Sequence, residues 1–213
     1  MRNTRLIIMI EGAIITGICV ALSYIPLNTA NADFDLSLGL IPLGVYALRR
    51  GPAPGLAAGF VWGLLMIVLG KAFILSIPQV LLEYPLAFAF GGFGGVFSGL
   101  LRRKLAPVNA AGNATGNAGV TIAGNATGSA AGNAVGVIPV VVFASISTAV
   151  ARWFFHFWAG VVFWGSYAPP GMSPYLYSFI FNGTSAAANA VMLAVILSIL
   201  VKTARPLFIP KDF

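Results

Sequence analysis

The chain has 213 residues, 59% of them hydrophobic and 8% charged, with a formal net charge of +7 and a mean hydropathy of +0.93. Soluble domains carry roughly 25% charged residues, so a water-soluble fold is excluded and lipid is the solvent that fits. The single cysteine, Cys19, excludes an internal disulfide and a cysteine metal cage.

The first apolar run follows Arg2 and Arg5 and extends from Leu6 to Ile25. It is longer than a signal-peptide core and no A-x-A-like cleavage site directly follows it, so it reads as an uncleaved first helix over 6–24. Ala13, Gly17 and Ala21 recur every fourth residue on it and make a small-residue stripe that another helix could approach closely. Asn28, Asn31, Asp33 and Asp35 make a polar loop. A short second span is expected over 36–48, ending at Arg49-Arg50. Gly51, Pro52 and Pro54 form a tight turn into a third span over 56–69. A fourth span is expected over 78–101, closed by Arg102-Arg103-Lys104. Residues 105–136 repeat Gly-Asn-Ala and lack charge and large apolar side chains, which reads as a flexible low-complexity cytoplasmic linker. The fifth and sixth spans are expected over 137–164 and 175–201.

Each span needs about 20 apolar residues, so the chain suits one all-α integral membrane domain, 1–213, with six transmembrane helices. Ten of the twelve Lys and Arg residues precede the first span, follow the last, or lie between spans two and three or four and five. By the positive-inside rule both termini are cytoplasmic. That distribution accounts for the net charge without a nucleic-acid partner. With the linker inside, the N-x-T sequons at Asn113 and Asn125 are not expected to be glycosylated.

Polar groups inside spans carry the functional signal, because lipid penalises them. Glu83 reads as the only acid in the core of a span, where an unpaired carboxylate costs about 2.5 kcal/mol or more. It is either a structural partner of Arg152 or a carboxylate for a ligand. Arg152 and His156, the only histidine, are four residues apart and share a face of the fifth span, with Trp164 two turns further on. Tyr84 follows Glu83, and the sixth span adds Tyr177 and Asn182 near its outer end. A carboxylate, an imidazole, an amide and several rings at one depth describe a pocket for a flat, polar, cationic molecule. Belt anchoring accounts well for Trp153 and Trp158, and less well for Trp164, which shares a face with His156 and Arg152. Walker A, nucleophile-elbow and H-E-x-x-H motifs are absent, so a binding subunit fits better than a self-sufficient pump or hydrolase. An intramembrane enzyme using Glu83 and His156 as acid and base, and a purely structural membrane protein, are the competing classes.

Several segments together resemble one family. They are Leu82-Glu83-Tyr84-Pro85-Leu86-Ala87-Phe88, Arg152 through His156, Ala159-Gly160-Val161-Val162-Phe163-Trp164-Gly165-Ser166-Tyr167-Ala168-Pro169, Gly171-Met172-Ser173-Pro174, Tyr177 and Asn182-Gly183, with Gly59 to Leu64 in support. They are similar to the thiamine-specific S component of energy-coupling factor (ECF) transporters. The resemblance implies a six-helix, multi-pass subunit in a prokaryotic cell membrane that binds thiamine from outside and holds no cofactor. It implies an ECF transmembrane coupling subunit and two cytoplasmic ATPases as partners, so that only the partners bind ATP. It places Glu83, Tyr84, His156, Gly160, Trp164, Tyr177 and Asn182 in the thiamine pocket, with Arg152 beside them, and Ala13, Gly17 and Ala21 on the docking stripe. Phe34 and Phe73 stand where the family is expected to have Trp and Tyr, and Arg152 where a lysine is expected. The Phe34 and Phe73 departures leave room for a thiamine precursor or analogue as substrate.

Overall fold

The computed structural model describes residues 3–25, 27, 35–106 and 128–210, which are all-helical apart from connections. Helix α1 covers Thr4–Leu22 and is capped by Asn3, whose side chain accepts from the Leu6 N–H. Its inner face is Gly12, Thr16 and Cys19. Gly12 leaves room for Tyr46, whose hydroxyl donates to the Ile8 carbonyl at 2.7 Å. Ala13, Gly17 and Ala21 lie on the exposed side of the same helix, and a Cβ at Gly17 would meet nothing within 4 Å.

Helix α2, Leu40–Arg50, has 11 residues. At 1.5 Å per residue it covers about 16 Å, half of a bilayer's hydrocarbon core. It begins later than the expected 36, because residues 35–37 are non-helical and bond to the last helix instead: the Ser37 N–H donates to Asn189 Oδ1 at 2.9 Å. It also runs on through Arg49-Arg50, and the reason corrects the reading of Glu83 as the only acid within a span. Glu11 sits in the middle of α1 and takes a two-pronged bond from Arg50, whose side chain is 1% exposed, and a further pair from Arg49. A guanidinium that deeply buried requires such a counterion. A basic cluster at a helix end had hidden its acid partner 38 residues away.

Gly51, at φ 101°, occupies the left-handed region that only glycine enters freely, and Pro52 then opens helix α3, Pro52–Val68. The early prolines are tolerated in the first turn, so α3 starts at 52 rather than 56. The row Gly51, Gly55, Gly59 and Gly63 faces helix α4, Ile77–Leu105. A Cβ on Gly59 would lie 2.2 Å from the Phe88 carbonyl oxygen, and one on Gly63 2.4 Å from that of Tyr84. Opposite Gly51 and Gly55 stand Gly95 and Gly92 of α4, so the two backbones touch directly along this seam.

The expected unbroken fourth span is in fact segmented. An α-helical start, Ile77–Leu81, gives way to a π turn, Leu82–Leu86. Pro85 lies in that turn, where it removes an N–H and its ring would clash with the preceding turn of a regular helix. Four glycines between 91 and 95 then allow a 3₁₀ stretch, Phe93–Phe97, before Ser98–Leu105 completes α4. The freed Gly94 N–H donates to Thr148 Oγ1 at 3.0 Å.

Helix α5 spans Gly128–Phe163 and helix α6 Pro174–Thr203. The end of the stretch expected as a linker is therefore helical, in spite of its glycines. Residues 107–127 lie outside the described residues. Among the described residues, four helices are long and apolar enough to cross a membrane: α1, α4, α5 from Gly136, and α6. Their outer faces expose rows such as Phe143, Ile146, Val150 and Phe154 on α5 and Val191, Val195 and Ile199 on α6. Lipid is the environment that accepts such rows. The core holds Leu43, Trp62, Leu193 and Leu197. At one end of the bundle Arg49 donates to the carbonyls of Pro206, Leu207 and Ile209, and Arg205 to that of Leu105, gathering the basic ends of α2, α4 and α6.

The seam predicts an asymmetric response to alanine. Gly63→Ala should destabilise by about 1–3 kcal/mol, since backbone must move. Gly17→Ala should leave the melting temperature in detergent unchanged or slightly raised.

Candidate functional site

The other end of the bundle holds a cleft built from the start of α4, the end of α5 and the start of α6. Ser76 caps α4 by accepting from the Gln79 N–H, and one turn later the π turn brings Glu83 and Tyr84 to the cleft wall. On α5, His156 and Gly160 share a face at four-residue spacing, and Trp164 follows four residues on, just past the helix end. The helix stops at Phe163, and Trp164 begins the turn Gly165–Tyr167. Ser173 caps α6, which supplies Tyr177, Ser178, Phe181 and Asn182.

Glu83 is held on both sides. One oxygen accepts from Trp164 Nε1 and the other from Gln79 Nε2. Both donors are neutral. Arg152 does not pair with Glu83: among the described residues its ion pair is with Asp35, at 3.4 Å. The structural Glu83–Arg152 bridge is thus set aside, and the Glu83 charge has no cationic neighbour bonded to it.

The aromatic walls are in mutual contact. Phe73 and Trp164 lie 5.3 Å apart between ring centroids, Trp164 and Tyr167 5.6 Å, and Tyr84 and Phe88 5.7 Å. Phe73–Trp164 and Trp164–Tyr167 are tilted pairs, and Tyr84 stacks on Phe88. Gly160 opens the floor. A Cβ there would fall 2.2 Å from Ser178 Oγ and 2.8 Å from Asn182 Nδ2. Ser178 Oγ donates to the Phe157 carbonyl at 2.7 Å and accepts from Asn182 Nδ2 at 3.1 Å, which orients the Asn182 amide. His156 Nε2 is buried and has no hydrogen-bond partner among the described residues.

Eight of the ten residues expected at the site, Phe73, Glu83, Tyr84, His156, Gly160, Trp164, Tyr177 and Asn182, line this one cleft of about 390 Å³. Arg152 lines an adjoining cavity of about 420 Å³, shared with Asp35, Lys71, Glu83, Tyr84 and His156. Phe34 lies outside the described residues. The docking-stripe residues Ala13, Gly17 and Ala21 are away from the cleft, on the exposed face of α1. Sequence reasoning missed Gln79, Ser178 and Asp35. The first two were findable, since each sits one turn before a residue that was singled out, Glu83 and Asn182 respectively. No group of three or more His, Cys, Asp or Glu side chains among the described residues could hold a metal ion.

The sequence profile of the thiamine transporter protein family (Thia_YuaJ) matches residues 9–209. The chain belongs to this family. It is 36% identical to the thiamine transporter ThiT of Lacticaseibacillus paracasei, over 99% of this chain and 94% of that one. Its identity to the thiamine transporter ThiT of Bacillus subtilis is 28%, over 95% of this chain and 94% of the relative. Among solved structures, ThiT from Listeria monocytogenes superposes with a TM-score of 0.81 at 39% identity, covering 98% of this chain and all of that one. The family is one of transporters, so the chain is a membrane protein and not an enzyme, and acid–base catalysis by Glu83 and His156 falls away.

The tight floor of the cleft gives a test independent of any ligand. Gly160→Ala should lower the melting temperature in detergent, and adding Ser178→Ala, which removes the atom 2.2 Å from the new methyl group, should restore part of the loss, since Asn182 Nδ2 remains 2.8 Å from it.

Proposed function

We propose that this chain is the thiamine-binding membrane subunit of an ATP-driven vitamin uptake transporter. The observation that carries the reading is the Glu83 carboxylate, held only by neutral N–H donors in an aromatic-walled cleft. A flat cation with amino donors answers both features of that cleft. Thiamine has a cationic thiazolium and an aminopyrimidine, and the relatives in L. paracasei and B. subtilis are thiamine transporters.

In this reading Glu83 takes the aminopyrimidine edge or balances the thiazolium charge. Trp164 stacks on a ring, and Tyr84 and Tyr177 close the walls. His156 and Asn182 add hydrogen bonds. Gly160 keeps the floor clear, and Phe73 and Phe34 add rings. Arg152, neutralised by Asp35, stands beside the ligand's hydroxyethyl tail.

The chain works as one membrane domain of six spans in a prokaryotic plasma membrane, with both termini and the connection between α4 and α5 in the cytoplasm. The short α2 is enclosed by its neighbours: Leu40, Leu43, Tyr46, Ala47 and Leu48 are all buried. That enclosure suits irregular or short elements at membrane depth. The basic end of the bundle then faces the cytoplasm and the cleft faces outward. Energy comes from an ECF coupling subunit and two ATPases, with Ala13, Gly17 and Ala21 forming the docking stripe. The exposure of that stripe and the open space beside Gly17 support this part.

Phe73 lacks the hydroxyl expected at its position, which favours including the free pyrimidine precursor as a competitor. Calorimetric titration in detergent tests the site. Thiamine should bind the wild type saturably at micromolar concentration or below, more tightly than the precursor. Glu83→Gln should weaken it by about ten-fold or more, because a charge-assisted contact is lost. Unchanged affinity in that variant would sink the assigned role.

A further inference from the structure

Gln79 is fully buried, and every polar atom of its amide is committed. Its Oε1 accepts from the Leu75 N–H at 2.9 Å. Its Nε2 donates to the Phe73 carbonyl at 3.2 Å and to Glu83 Oε2. This set fixes the orientation of the amide. Exchanging oxygen and nitrogen would face an N–H against an N–H and put one oxygen against two others. The Phe73 N–H is held too, by donating to the Tyr84 hydroxyl at 2.9 Å. The backbone of Phe73 is thus pinned on both sides by α4, which places its ring against Trp164. Trp164 closes the circuit by donating to the other Glu83 oxygen.

We propose that Gln79 is a positioning residue for ligand binding: it couples the Glu83 carboxylate to the connection bearing Phe73, so that the charged and aromatic sides of the cleft engage the ligand as one unit. The inference rests on the cleft being a thiamine site. Several features favour coupling over simple helix capping. Capping of α4 is already done by Ser76 and needs no glutamine. Nor does starting a helix require a side chain buried to 0% exposure. The same nitrogen bonds the carboxylate and the connection, so displacing either one perturbs the other. A ligand that draws Glu83 forward pulls on Phe73 through a single atom, and one that pushes Phe73 aside loosens the carboxylate.

A double-mutant cycle on the intact chain tests this, with thiamine affinity read by calorimetry. Gln79→Met keeps the length and removes the hydrogen bonds. It should weaken binding by about ten-fold in the native background and by less than about three-fold in the Glu83→Gln background, since contacting residues couple. Equal losses in both backgrounds, or native affinity in the single variant, would overturn the proposal. Absence of thiamine binding to the native chain would instead overturn the function on which it rests. Amide exchange supplies the second reading if the doubly substituted chain binds too weakly to titrate. Saturating thiamine should slow exchange at Leu75 in the native chain and not in Gln79→Met. Equal slowing in both would contradict the coupling. Gln79→Asn, one methylene too short to reach all three partners, serves if the methionine variant does not elute as a folded protein, with the same outcomes expected.

Discussion

The seam between α3 and α4 governs the architecture. Along it, Gly51, Gly55, Gly59 and Gly63 let one backbone lie on another with no side chain between them. Lipid offers no hydrophobic drive between helices, so close van der Waals contact of this kind is what holds two spans together. The contact has a consequence at the site. Gly63 meets the carbonyl of Tyr84, inside the π turn that Pro85 induces. An irregular turn at membrane depth exposes backbone groups, and burial against a glycine face shields them. The same turn aims Glu83 and Tyr84 at the cleft. A seam made of residues with no side chains thereby sets the position of the two most chemically distinctive side chains on α4.

The electrostatics of the two ends differ in kind. At the basic end, Glu11 is fully answered by Arg49 and Arg50, and Arg49 also gathers the carbonyls of 206, 207 and 209. That is a closed structural knot, with a carboxylate and two guanidinium groups satisfying one another. At the cleft end Asp35 answers Arg152, while Glu83 receives only neutral donors. A chain could have neutralised Glu83 with Arg152, which lies on the facing helix. Pairing Arg152 with Asp35 instead leaves the Glu83 carboxylate without a bonded cation among the described residues. Holding a charge that way costs stability, and binding a cation is what such a cost can serve.

Much of the cleft was legible beforehand because its residues violate the rules of their surroundings. A carboxylate, a lone histidine and an asparagine within apolar runs are conspicuous, and four-residue spacing put His156 and Trp164 on one face. The helices that carry them, α5 and α6, are long and regular, and their ends fell within a few residues of expectation apart from the early start of α5. What escaped notice was everything that depends on contact between distant segments. Glu11 was overlooked because its partners are on α2. The small-residue stripe on α1 drew attention, whereas the stronger glycine row on α3 did not, although only the latter packs within the described chain. The breaks in α4 were visible as Pro85 and four nearby glycines, yet composition alone does not say whether such residues kink a helix or end it. Gln79 looked like an ordinary polar residue near an interface, and only its three bonds distinguish it.

The central claim is that a cationic, aromatic vitamin sits between Glu83 and the rings of α5 and α6. A crystal structure of the protein grown with saturating thiamine tests it most directly. The account predicts ligand density in the cleft, with a Glu83 oxygen within hydrogen-bond distance of the ligand and the Trp164 ring stacked on one of its faces. Thiamine bound elsewhere on the protein, or a cleft still empty at saturation, would contradict it.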